Sequence, residues 1–220
     1  MVAMRHESGS IREEPGVLAP SVPWDIGAQS QRQRILGAMA KSCADKSFPR
    51  ATIADIVERA HISRATFYKH FENKRECFDA AVEAFLAELA ATAVEAHSGA
   101  DSPAEALRGA IAAVLDLLAA RPAYAKLALI ETPVIDPAPI GGYRDAVVEA
   151  LEADWKSEKG SKRSGADARI AFGRAQVLVA DHLAAGRAKE LPVLLPELVY
   201  IALLPFAGHD DALKHATQGR

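Results

Sequence analysis

At 220 residues, half of them hydrophobic and a quarter charged, the chain has the composition of a soluble globular protein with a sizeable core. A formal charge of −3 excludes a molecule coated in positive charge. Its two cysteines, Cys43 and Cys77, read as small buried residues in a reducing cytoplasm, a redox pair being the lesser alternative, and no metal-ligand spacing occurs.

Residues 1–28 hold Pro15, Pro20 and Pro23, scattered charge and no apolar run of signal-peptide length, and are expected as a disordered tail. A first helix follows from about Gln29 to Lys46, with Ile35, Leu36, Met39 and Cys43 on one side. Thr52 is placed to cap a second helix whose apolar positions are Ile53, Ile56, Val57 and Ala60. His61-Ile62-Ser63 forms a sharp corner, and Ser63 caps a third helix from Arg64 to Phe71. By helical angle Phe67 and Phe71 share one side of it, while Ala65, Thr66, Tyr68 and Lys69 face away and Arg64 stands at its open end. Such residues suit a recognition helix: Arg forks onto guanine, Thr meets a thymine methyl, and Tyr, Lys and His70 reach phosphates. The bland alternative is an ordinary helical corner with a polar outer face. Charge favours DNA, because residues 30–76 carry ten Lys or Arg against five Asp or Glu, while the remainder carries 16 against 24.

Residues 31–86 resemble the tetracycline-repressor (TetR) family of bacterial regulators, through the leading helix QRQRILGAMAKSCADKSF, then TIADIVERAHIS and RATFYKHFENKRECF. The resemblance implies DNA contacts at Arg64, Ala65, Thr66, Tyr68, Lys69 and His70, with Lys74 touching a phosphate from the next helix. His61 stands where the family usually has a turn glycine, and His tolerates a positive φ better than most residues. Ala65 stands where glycine is frequent, which bears on the operator sequence.

Lys74 opens a long helix to about His97, and Ser102-Pro103 starts another that runs to Ala120. A shorter helix around Tyr124–Ile130 ends near Glu131, Pro133, Pro137 and Pro139 make a loop, and Tyr143–Lys159 is amphipathic up to a charged linker. The last two helices are expected at 167–186 and 191–206, the second being LPVLLPELVYIALLPF, apolar nearly all round. Its length, Glu197 and three prolines argue against a membrane span and for a subunit interface. The fold class is therefore all-α, with a three-helix helix-turn-helix domain at 29–75 followed by a larger helical effector-binding and dimerisation domain at 76–220.

No nucleophile with a base, Gly-rich phosphate loop or cofactor motif is present, so catalysis and cofactors are not expected. The resemblance implies a homodimeric cytoplasmic repressor, released from a palindromic DNA operator by a small, largely apolar effector and without a membrane partner. Candidate effector contacts are Leu118, Tyr124, Leu127, Ile130, Tyr143, Val147, Leu151, Phe172, Gln176 and Val179, and candidate interface residues are Leu178, Leu198, Ile201, Ala202 and Leu203. The alternatives are a helical protein-interaction module without DNA affinity and, last, an enzyme.

Overall fold

The computed structural model describes residues 23–97, 100–155 and 165–217, with side chains from residue 30. Residues 1–22 of the tail expected at 1–28, and residues 156–164 of the charged linker, lie outside the described residues; residues 23–28 are helical instead. Every described element is helical: α1 (Pro23–Lys46), α2 (Ile53–Ala60), α3 (Arg64–His70), α4 (Lys74–His97), α5 (Pro103–Ala120) and α6 (Pro122–Lys126) come first. A π-turn (Leu127–Glu131) leads into α7 (Thr132–Ile135), then α8 (Ala138–Asp154), α9 (Gly165–Ala184), a 3-10 segment (Ala188–Leu194) and α10 (Leu195–Thr217).

The helix starts follow from local chemistry. Thr52 accepts from the Asp55 amide while the Asp55 carboxylate accepts from Thr52, a reciprocal capping box at α2. Ser63 caps α3 through the amide of Thr66, and Ser102 caps α5 through that of Glu105, with Pro103 just inside the helix. His61 terminates α2 in the left-handed region at φ 53°, ψ 51°, as the turn position demands.

Three buried clusters organise the described residues. The first joins α1, α2 and α3 through Ile35, Met39, Ile56, Phe67 and Phe71, and takes Cys77, Phe78, Ala81 and Val82 from α4 and Leu127 from the π-turn. It thus extends past residue 75 to Val82. The second gathers Phe85 and Leu89 of α4 with residues of α5, α9 and the 3-10 segment, and the third gathers α5, α8, α9 and α10 around Trp155, Leu203 and Phe206. Spanning ~36 Å at 1.5 Å per residue, α4 passes from the first cluster into the second.

Several boundaries depart from the sequence expectation, and proline accounts for most of them. Pro23 begins α1 six residues ahead of Gln29, Pro133 lies in the first turn of α7, and Pro139 lies in the first turn of α8. Proline lacks a donor that a first turn would leave unused anyway, so these residues start helices where a loop was expected. At the other end α10 continues beyond Phe206 to Thr217, kinked at Gly208, whose φ of 78° only glycine adopts readily.

Candidate functional site

The corner between α2 and α3 sets the polar face of α3 outward. Phe67 is fully buried and Phe71 nearly so, their ring centroids 5.8 Å apart, which fixes the rotation of α3 on the first cluster. Arg64, Ala65, Tyr68 and Lys69 are exposed as a consequence, while Thr66 and His70 are half-buried. Tyr68 is 54% exposed with its ring edge-on to Phe67. The Thr66 hydroxyl lies 2.9 Å from that of Ser63, so it belongs in part to the cap. An exposed guanidinium, phenol and ammonium on one short helix is a surface suited to base edges and phosphates.

Lys74 stands apart from this group. Its Nζ donates to the carbonyl oxygens of Phe48 and Ala51, each at 2.8 Å, and lies 4.3 Å from the Phe48 ring centroid. The sequence expectation of a phosphate contact is therefore corrected: the half-buried ammonium ties the α1–α2 loop to the start of α4. Glu131 of the π-turn holds the same loop, accepting from the Phe48 amide at 2.9 Å.

Behind α4 a cavity of about 200 Å³ lies among α4, α5, the π-turn, α8, α9 and α10. Of the expected effector contacts, Leu118, Tyr143, Val147, Leu151, Phe172, Gln176 and Val179 line it. Three do not: Leu127 is buried in the first cluster, Tyr124 stacks on Phe85 with centroids 5.4 Å apart, and Ile130 packs at the second cluster. The π-turn accounts for Leu127 and Ile130, because a π-turn shifts these side chains off the α-helical phase, whereas Tyr124 lies ahead of it in α6. Leu129 faces the cavity instead. Ile111, Val114 and Leu115 also line it; they share a face of α5 with Leu118 and were legible from helical spacing.

The interface residues divide differently. Leu198 is buried and Leu203 fully so within the single chain, Leu198 and Ala202 line the cavity, and Leu178 and Ile201 are half-buried. Leu198 and Leu203 are thus core, a correction: a helix apolar all round does not reveal its phase. On these last elements the exposed large apolar side chains among the described residues are Ile170 and Val177 on α9, at 57% and 61% exposure, Val193 at 78% in the 3-10 segment, and Leu204 and Leu213 on α10 at 40% and 48%. The 3-10 segment with α10 is long and apolar enough to cross a membrane by composition, but Leu191, Leu194, Val199, Leu203 and Phe206 are buried in the chain's own clusters.

Burial raises both thiols to about 12, and the Cys43 Sγ–H points to the Met39 sulfur at 3.6 Å, so both are protonated and unreactive at neutral pH. Among the described residues no group of three or more His, Cys, Asp or Glu is placed to hold a metal.

Residues 35–81 match the family model described as bacterial regulatory proteins, tetR family. No curated protein matches the sequence. Among solved structures, the fatty acid degradation regulator FadR from Bacillus halodurans is similar at TM-score 0.71 and 17% identity, over 79% of this chain and 94% of that one. A TetR family transcription regulator from Marinobacter aquaeolei VT8 gives 0.68 and 17%, over 83% and 98%. FadR from Bacillus subtilis in complex with stearoyl-CoA gives 0.64 and 16%, over 80% and 98%. At such identities the likeness is one of fold, and the residues of the corner carry the rest. The segment carrying the helix-turn-helix is thus similar to the DNA-binding part of the tetR family of bacterial regulatory proteins, and the described helices around it have the fold of these regulators.

Proposed function

We propose that the protein is a homodimeric repressor that binds a palindromic operator through α3 and is released when a small, largely apolar molecule fills the cavity. The observation that carries this reading is the pairing of an exposed cationic α3 with an apolar cavity of about 200 Å³, both reached by α4 and the π-turn. Arg64, Ala65, Thr66, Tyr68, Lys69 and His70 are the proposed DNA contacts, Arg64 reading a base and Tyr68 and Lys69 meeting phosphates. Residues 29–75 form the reading head and 76–220 the effector and dimerisation part, with cytoplasmic action.

The dimer forms a four-helix bundle from α9 and α10 of each chain, through the exposed face of Ile170, Val177 and Leu204 together with Ile201. Two recognition helices then address half-sites about 34–36 Å apart, or a further whole turn of duplex. A ligand that moves α4 or the π-turn swings the heads off that spacing, provided it binds the non-DNA conformation more tightly. Selection from random duplexes, followed by gel-shift on the chain's own upstream region and a metabolite screen for release, tests the reading. A selection that enriches no motif would overturn it.

A further inference from the structure

Resting on the effector-site reading above, the chemistry of the cavity wall narrows the ligand further. Among the described residues, all the lining side chains are hydrocarbon except those of Tyr143 and Gln176, and none is charged. Tyr143 projects from α8, its ring 6.2 Å from that of Phe172 on α9, and Gln176 follows Phe172 by one helical turn. Burial holds the Tyr143 hydroxyl up at about 12, so it is a neutral hydrogen-bonding group across physiological pH.

Among the described residues Tyr143 is also the one shared between the cavity and an outer groove lined by Arg75, Asp79, Glu83 and Asp136. Arg75 is already engaged there, at 2.7 Å from Asp79 and 3.4 Å from Asp136. An anionic headgroup leaving the cavity past Tyr143 therefore meets three carboxylates and one committed guanidinium. A cationic group inside the cavity has no charged partner among the described residues and loses its hydration without compensation. The cavity selects against either sign of charge, and the groove selects against anions.

We propose that the cavity binds an uncharged, mainly hydrocarbon molecule carrying a hydroxyl, ester or lactone oxygen, which the Tyr143 hydroxyl and the Gln176 amide recognise. The cavity discriminates by charge before shape.

Three probes of equal chain length separate the outcomes: 1-decanol, decanoate at pH 8 and decyltrimethylammonium, each below its micelle concentration, titrated into the full chain by calorimetry and thermal shift. Decanol is expected to bind and raise the melting temperature, with both ions weaker by at least about tenfold. Tyr143→Phe should weaken decanol by roughly threefold to tenfold, and Ala175→Leu, which fills the cavity, should abolish binding. An ion that binds as tightly as decanol, and loses that affinity in Ala175→Leu, overturns the inference and leaves the effector site standing. Failure of all three probes to bind overturns both, since the cavity then takes no hydrocarbon ligand.

Discussion

The carboxylate of Glu131 accepts a hydrogen bond from the backbone amide of Phe48 at 2.9 Å, joining residues 83 positions apart. Glu131 closes the π-turn, whose Leu129 lines the cavity and whose Leu127 is buried among the residues of the helix-turn-helix. One turn of backbone thus touches the cavity and the helix-turn-helix together.

Glu131→Ala should leave the Phe48 amide without its partner and lower stability by about 1–3 kcal/mol. Glu131→Gln retains an acceptor and should recover most of it. Hydrogen exchange read at Phe48 checks this directly: faster exchange in the alanine variant alone is expected, and equal exchange in wild type and Glu131→Ala would remove the bond from the account.

Lys74→Met keeps the aliphatic stem but deprives the Phe48 and Ala51 carbonyls of a charged donor. It should cost about 1–3 kcal/mol in denaturant unfolding, while the slope of log affinity for DNA against log salt stays at the wild-type value. A slope smaller by about 0.9 would restore Lys74 as a phosphate contact.

Lys69→Ala should show that salt-slope change and weaken all DNA sequences alike, because phosphates carry no sequence information. Arg64→Ala should instead cost ~1–3 kcal/mol on the preferred site and relax one base position. Site selection with each variant separates the two roles; an unchanged motif for Arg64→Ala would make it a backbone contact.

Val177 and Leu203 predict opposite outcomes for the same introduced charge. Leu203 is fully buried within one chain, so Leu203→Glu should unfold the protein, by several kcal/mol for an unpaired buried charge. Val177 is 61% exposed in the single chain, so Val177→Glu should give folded monomers. Sedimentation finding an unchanged dimer for Val177→Glu would move the interface elsewhere.

Asp55 supplies a pH signature. Hydrogen bonds from Lys46, from the Thr52 amide and from the Thr52 hydroxyl hold its carboxyl down at about 2. A depressed folded-state value contributes stability that is present above the unfolded value near ~3.9 and is lost as pH falls towards about 2. The melting-temperature gap between wild type and Asp55→Asn should therefore be full at pH 6 and narrow across that acid window. A gap that is constant with pH would show that the capping box does not depend on the ionised carboxylate.

What the sequence made legible is what local chemistry decides. Thr52, Ser63 and Ser102 cap helices because their partners lie three residues away, and the spacing of Phe67 and Phe71 fixes which side of α3 faces out. The role of Lys74 was hidden because its acceptors lie 26 and 23 residues upstream and are backbone oxygens, which no side-chain pattern marks. Leu203 and Leu204 are adjacent in an apolar run that gives no helical phase, so core and surface were exchanged. The cavity was found in part because α8 and α9 keep regular phase, whereas the π-turn altered it at Leu127 and Ile130.

The measurement that tests the central claim most directly is fluorescence anisotropy of the chain on duplexes from its own upstream region, with unlabelled random duplex as competitor. Wild type and the double variant Arg64→Ala, Lys69→Ala should be compared at two salt concentrations. The account predicts a saturable wild-type complex of two chains per duplex that resists competitor, and a variant that keeps its fold and loses the complex. Equal binding by the two proteins, or a wild-type complex that random duplex displaces fully, would contradict recognition through α3.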